Sequence, residues 1–206
     1  MTALGLSIGL SLRPRYGGGT PTPTATTWNP ADLANFALSE GNLRAANTVH
    51  GDFSVRATSS HTTGKWYWEF KPNTADMIVG FGTADHAVSG EAYSDNHTAV
   101  IYMVVGTGWA WSNNGWASFD SNTVALAAWG GLAIDLDAGK WWLRRPAGWV
   151  GDPVAGTGGF SIANLAGIPV FPMLSTQVVN DGDVTANFGA TAFAYTTPTG
   201  FTGWQL

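Results

Sequence analysis

The 206-residue sequence contains no cysteine. Disulfide frameworks and thiolate metal sites are therefore excluded, and either redox compartment stays open. Charge is scarce as well: Asp, Glu, Lys and Arg make up 11% of the residues, against about a quarter in ordinary globular domains. The nine Lys and Arg are scattered among fourteen Asp and Glu, for a net charge of −5. Phosphate backbones are bound through clustered cations, so nucleic acid is not expected as the main partner. No apolar run approaches the roughly 20 residues of a membrane helix. The N-terminal ALGLSIGLSLRPR carries its arginines after its apolar residues, which are interrupted at every second position, unlike a secretory leader. These absences predict a soluble protein, neither exported by a cleaved leader nor inserted in a bilayer.

What is present is aromatic and small: 27 Gly and 11 Trp, a β-rich composition with enough apolar bulk to offset chain entropy. Leu4, Leu6, Ile8, Leu10 and Leu12 alternate with Gly and Ser, which is the period of one apolar strand face. Such a strand must join a sheet. YGGGTPTPTATT follows it as an extended tether. Residues 1–27 are thus expected to form a docking arm and tether ahead of a domain over 28–206. The alternative, that the arm is an edge strand of that same domain, stays open.

From Trp28 onward, short apolar segments alternate with turn signals. Asn29-Pro30 predicts one helical turn through Ala34. Hairpins are expected about Glu40-Gly41-Asn42, about Asp137-Ala138-Gly139, and about Asn180 to Asp183. With no long helical period, the segments predict an all-β antiparallel sandwich.

The ordered blocks GKWYWEF, GLAIDLDAGKWWLRR and VTANFG, the last followed by Phe193 and by Pro198 to Phe201, resemble a SPRY domain. Among such domains they are most similar to those of tailed-phage and prophage proteins. The resemblance covers Trp28 to the C-terminus and leaves residues 1–27 unexplained. It implies a bent two-sheet antiparallel β-sandwich of concanavalin-like jelly-roll shape, non-enzymatic, presenting loops for recognition. It also implies a virion setting, assembled in the bacterial host cytoplasm, as a fibre, tail or head-decoration protein. Partners would then be other virion subunits, or a further copy, through the arm, and a host-surface glycan or protein through the loops. The segment WWLRRPAGWVGDPVAGTGG departs from the family, being a longer loop that carries Trp149.

In GKWYWEF, pleating places Trp66, Trp68 and Phe70 on one face and Tyr67, Glu69 and Lys71 on the other. The first face reads as core and the second as a polar or mixed surface. Catalysis by Glu69 would need a second carboxylate about 5 to 9 Å away, and none stands out. Asp135 and Asp137 read as turn residues rather than an acid–base pair. The histidines at 50, 61, 86 and 97 show no metal spacing. His86 and His97 do share a loop with Asp85 and Asp95, which leaves a weak metal alternative. No cofactor motif is present.

The strongest ligand candidates are Trp109, Trp111, Asn113, Asn114 and Trp116, with Trp149. Aromatic rings beside amides suit sugar rings and also protein loops. The competing expectation is that Trp109 and Trp111 fill the sandwich and only the turn is exposed. Trp141 and Trp142, being adjacent, must point to opposite faces, so one reaches the surface unless something covers it. A decoration protein without an external ligand and a glycan-degrading enzyme are the alternative functions, the enzyme disfavoured for want of an acid–base pair.

Overall fold

The computed structural model describes residues 25–75, 77–93, 95–104, 107–113, 115–119, 124–177 and 182–205. The predicted arm (Leu4, Leu6, Ile8, Leu10, Leu12) and Asn114 lie outside them. The first strands in chain order are β1 (Trp28–Leu33), β2 (Phe36–Ser39), β3 (Arg44–Asn47), β4 (Ser54–Ala57) and β5 (Lys65–Pro72). There follow β6 (Met77–Thr83), β7 (Thr98–Val104), β8 (Thr107–Ser112), β9 (Gly115–Phe119), β10 (Gly130–Asp135) and β11 (Lys140–Arg145). The last are β12 (Gly148–Trp149), β13 (Phe160–Ser161), β14 (Val170–Ser175), β15 (Asp183–Asn187) and β16 (Thr202–Gly203), with one 3-10 turn at Ala163–Leu165.

They form two sheets. One has seven strands in the order β1-β4-β14-β6-β7-β8-β9. The other has nine, in the order β12-β11-β10-β5-β15-β3-β2, with β13 beside β11 and β16 parallel to β5. The predicted antiparallel sandwich is what the chain forms. Alternate residues of each strand fill the space between the sheets: Val79, Phe81 and Ile101 from one, Trp68, Phe70, Leu132 and Trp141 from the other. Phe81 meets Trp141 edge-on at 5.9 Å, and Trp28 meets Trp68 likewise at 5.9 Å. Each such buried ring contributes on the order of 2 to 3 kcal/mol by removal of apolar area from water.

Several local expectations change. Asn29-Pro30 starts no helical turn: residues 28–33 are strand β1, paired at Trp28↔Ala57 and Leu33↔Val55 with a bulge between. The Asn29 side chain accepts from the Ala31 amide at 3.0 Å, a local turn that competes with helix formation. Residues 178–181 of the hairpin expected about Asn180 to Asp183 lie outside the described residues, and the strands on either side do not pair with each other: β14 pairs in one sheet and β15 in the other. The hairpins β2–β3 and β10–β11 are present, with Glu40, Gly41, Asn42 and Gly139 at positive φ.

The second face of β5 is not a surface. Tyr67 and Glu69 are both fully buried beneath the last segment of the chain, with Phe193 and Phe201 packed about Tyr67 and Trp142. Glu69 Oε1 accepts from the Tyr67 hydroxyl and the Tyr195 amide, each at 2.8 Å, and Oε2 from the Ala194 amide at 2.7 Å. Burial, with Glu69 alongside, pushes the Tyr67 phenol far up. Trp142, on the same outer face, is covered too: its indole donates to Thr157 O at 3.0 Å. The loop that departs from the family pattern therefore acts as its cover. Thr26 is fully buried, its hydroxyl 2.7 Å from Ser59 Oγ, and its amide donates to Gln205 Oε1 at 3.4 Å.

Candidate recognition site

The site is built on the β8–β9 hairpin at the edge of the seven-stranded sheet. Ala110 points into the core and is fully buried, which turns Trp109 and Trp111 outward. Register pairs Trp111 with Trp116, so all three indoles share the outer face. The expectation that Trp109 and Trp111 fill the sandwich is overturned. Ala110 takes the inward position, and period-two geometry leaves its neighbours no other direction. Trp109 and Trp116 stand perpendicular with centroids 6.4 Å apart, and Trp111 lies 5.4 Å from Trp116.

A strap, residues 84–93 and 95–97, crosses this outer face and partly covers it. Ala92 and Tyr93 pack with Ile78, Val100, Met173 and Trp111. The Trp111 indole donates to Asp95 O at 3.0 Å, which fixes that ring half-buried. Trp109 and Trp116 remain 42% and 45% exposed. With Tyr93 and Gln177 they line an open groove of about 350 Å³. The Tyr93 phenol is pushed up to about 12, first by burial and then by its hydrogen bond to Glu91.

The predicted ligand set is only partly brought together. Trp109, Trp111 and Trp116 form one aromatic face. Asn113 is exposed at the turn with φ of 50°, and its amide donates to Asn164 Oδ1 at 3.1 Å. Trp149 stands on the other sheet, half-buried, 6.1 Å from the Tyr67 ring. Sequence reasoning missed Tyr93, Gln177 and Asn164. Asn164 ties three loops, donating also to Asn96 O at 2.8 Å and Thr98 O at 3.1 Å. No local pattern announces these residues, because their partners are distant in sequence.

Beneath the strap, Ser54 Oγ lies 2.9 Å from His86 Nε2, and His86 Nδ1 lies 2.6 Å from Asp95 Oδ2. The order of groups matches a nucleophile, base and orienting acid. Ser54 is nevertheless fully buried, and its Oγ lies 3.0 Å from Ser175 Oγ. A nucleophile without access to substrate cannot act, so the arrangement pins the strap. Burial lowers the pKa of His86, as do the nearby charges of Arg56 and His97, against the opposing pull of Asp95. Arg56 completes the pin, clasping both Asp32 oxygens at 2.7 Å and donating to Thr83 O at 3.0 Å and His86 O at 2.7 Å. Asp135 and Asp137 serve the fold: one accepts from Ala138 N at 2.8 Å, the other from Gly64 N at 3.1 Å. Among the described residues, no group of three or more His, Asp or Glu could hold a metal ion.

The strand order and the sandwich define a SPRY-like fold. The crystal structure of the TRIM65 PSpry domain superposes with a TM-score of 0.62 at 13% identity, over 80% of this chain and 92% of that one. The SPRY domain of human HERC1 gives 0.60 at 11% identity, over 80% and 99%. No family model matches the sequence, and no curated protein does.

Proposed function

We propose that this chain is a non-enzymatic recognition component of a tailed-phage particle, a fibre, tail or head-decoration protein. Its SPRY-like domain would dock a host-surface ligand, glycan or protein, through the Trp109–Trp116 groove. The observation that carries this reading is the pair of large indoles, Trp109 and Trp116, left exposed side by side on the outer face of the seven-stranded sheet. Exposed, rigid aromatics of this kind concentrate binding energy at recognition surfaces. SPRY folds generally serve protein–protein interaction, and the Ser54–His86–Asp95 set lacks access. The phage setting is supported by the order of the sequence blocks and by the alternating arm at residues 4–12, suited to strand addition on a neighbouring subunit. Many copies on one particle would convert weak single contacts into firm attachment.

The test is adsorption of the purified protein to host cells. Trp109→Ala and Trp116→Ala, each folded by circular dichroism, should lower adsorption at least tenfold. Unchanged adsorption would overturn the groove assignment. Deletion of residues 1–19 should abolish incorporation into particles, and full incorporation without them would remove the arm from the proposal. Silence toward host cells combined with loss of particle stability on deletion would favour a purely structural decoration protein.

A further inference from the structure

Resting on the recognition reading above, we propose that the Trp109–Trp116 groove receives a cationic side chain, arginine or lysine, from a protein partner. Three aromatic faces converge there. Trp109 and Trp116 meet at 87°, and Tyr93 lies 5.8 Å from Trp116 at 37°. The faces of such rings carry negative potential, and two perpendicular indoles offer an ammonium or guanidinium group a corner rather than a single plane.

Charge around the groove points the same way. Its lining residues Tyr93, Trp109, Trp116 and Gln177 carry no cation. The Tyr93 hydroxyl is hydrogen-bonded to Glu91 and Gln177, and Asp52 is close enough to act on it electrostatically. Among the described residues the cations are segregated between the sheets. Arg44, Lys65, Lys71, Lys140, Arg144 and Arg145 all stand on strands of the nine-stranded sheet. The seven-stranded sheet has Arg56 alone on its strands, and that guanidinium is clasped by Asp32. The strap over this sheet adds Asp85, Glu91 and Asp95. An incoming cation therefore meets aromatic faces with Glu91 and Asp52 acting on Tyr93, and the described lining residues hold no positive group to repel it.

A neutral sugar is less well served. Recognition of hydroxyls needs several free donor–acceptor pairs. Among the described residues the lining supplies one amide, Gln177, and one phenol already engaged by Glu91. Asn113 is not among the lining residues.

The probes are N-acetyl-arginine methylamide and N-acetyl-lysine methylamide, added to the full chain while indole N–H resonances are followed by NMR. N-acetyl-citrulline methylamide serves as the neutral isostere and methyl α-glucoside as the neutral sugar. The cationic probes should shift the Trp109 and Trp116 indoles saturably, and the citrulline probe at least tenfold more weakly. Added salt should weaken the effect, Trp116→Ala should abolish it, and Glu91→Gln should lower affinity at least threefold with the fold intact. Equal binding of the citrulline probe, or shifts from the glucoside alone, would overturn the proposal in favour of a neutral ligand. If Trp116→Ala abolishes host-cell adsorption while neither cationic probe shifts the indoles, the cation inference falls and the recognition groove stands. If the cationic probes bind but adsorption ignores Trp116→Ala, the recognition reading falls instead.

Discussion

The amide of Tyr195 donates to Glu69 Oε1 at 2.8 Å across 126 residues of sequence. With the Ala194 amide and the Tyr67 hydroxyl on the same carboxylate, this contact holds the last segment of the chain against the nine-stranded sheet. Glu69→Ala should therefore destabilise the domain by about 3 kcal/mol, since it strands buried donors that are bound to a charged group. Urea unfolding measures the loss, and limited proteolysis should show the first new cuts after Asn187. A cost below about 1 kcal/mol would mean that aromatic packing alone holds this segment.

Gly80 sits where strands β6 and β7 approach closely. A methyl group there would lie inside van der Waals distance of the Ala99 carbonyl oxygen and 2.6 Å from Val100 Cα, both backbone atoms. Gly80→Ala should cost more than about 2 kcal/mol, because strands β6 and β7 would have to move apart. Thermal unfolding decides it. An unchanged melting temperature would contradict the close approach.

The strap pin predicts a pH dependence. His86 has its pKa lowered in the folded state, by burial first and then by Arg56 and His97. A histidine held neutral by folding adds stability that is complete above its ordinary value of 6.5 and is lost as pH falls below it. His61, lowered by burial in the same direction, adds to the effect. Stability measured by urea should decline from pH 7.5 to 5, and His86→Gln should flatten the decline, leaving the part due to His61. An equally steep decline in that variant would exonerate His86.

Arg56 is nearly buried and fills its donors with Asp32, the Thr83 carbonyl at the end of β6 and the His86 carbonyl of the strap. Arg56→Met should cost about 3 kcal/mol or more by leaving the Asp32 carboxylate without its ion partner and the His86 carbonyl without its guanidinium donor. Replacing Asp32 with Asn together with Arg56→Met should recover part of that loss. Additive losses in the double variant would show that the two side chains act independently.

How much of this was legible in the sequence differs from residue to residue. GKWYWEF gave its two faces correctly, because strand pleating needs no knowledge of the rest of the chain. That both faces are buried was not legible. The cover over Tyr67 and Glu69 comes from Phe193, Tyr195 and Phe201, in a segment without strand or helix periodicity. GWAWS shows alternation equally plainly, but alternation does not say which set faces the core. Size suggested the tryptophans, and the structure placed Ala110 inside. The strap pin was invisible for a different reason: Ser54 precedes His86 by 32 residues and sits on another element. Asp183 illustrates the same limit. Its place at a turn signal was plain, but not its pairing with Arg44 at 2.6 Å. Burial raises the Asp183 pKa, but hydrogen bonds from Arg44 and Asn73 and the guanidinium charge together bring it lower.

Thr26 and Gln205 touch at one corner of the sandwich. A short linker could therefore join residue 205 to residue 25 without strain, and new termini could be opened at the exposed loop around Val154 and Ala155. The permuted chain should fold with little change in melting temperature. The same adjacency makes the domain a natural insert: spliced into a surface loop of another protein, it would enter and leave through one point, like a cassette.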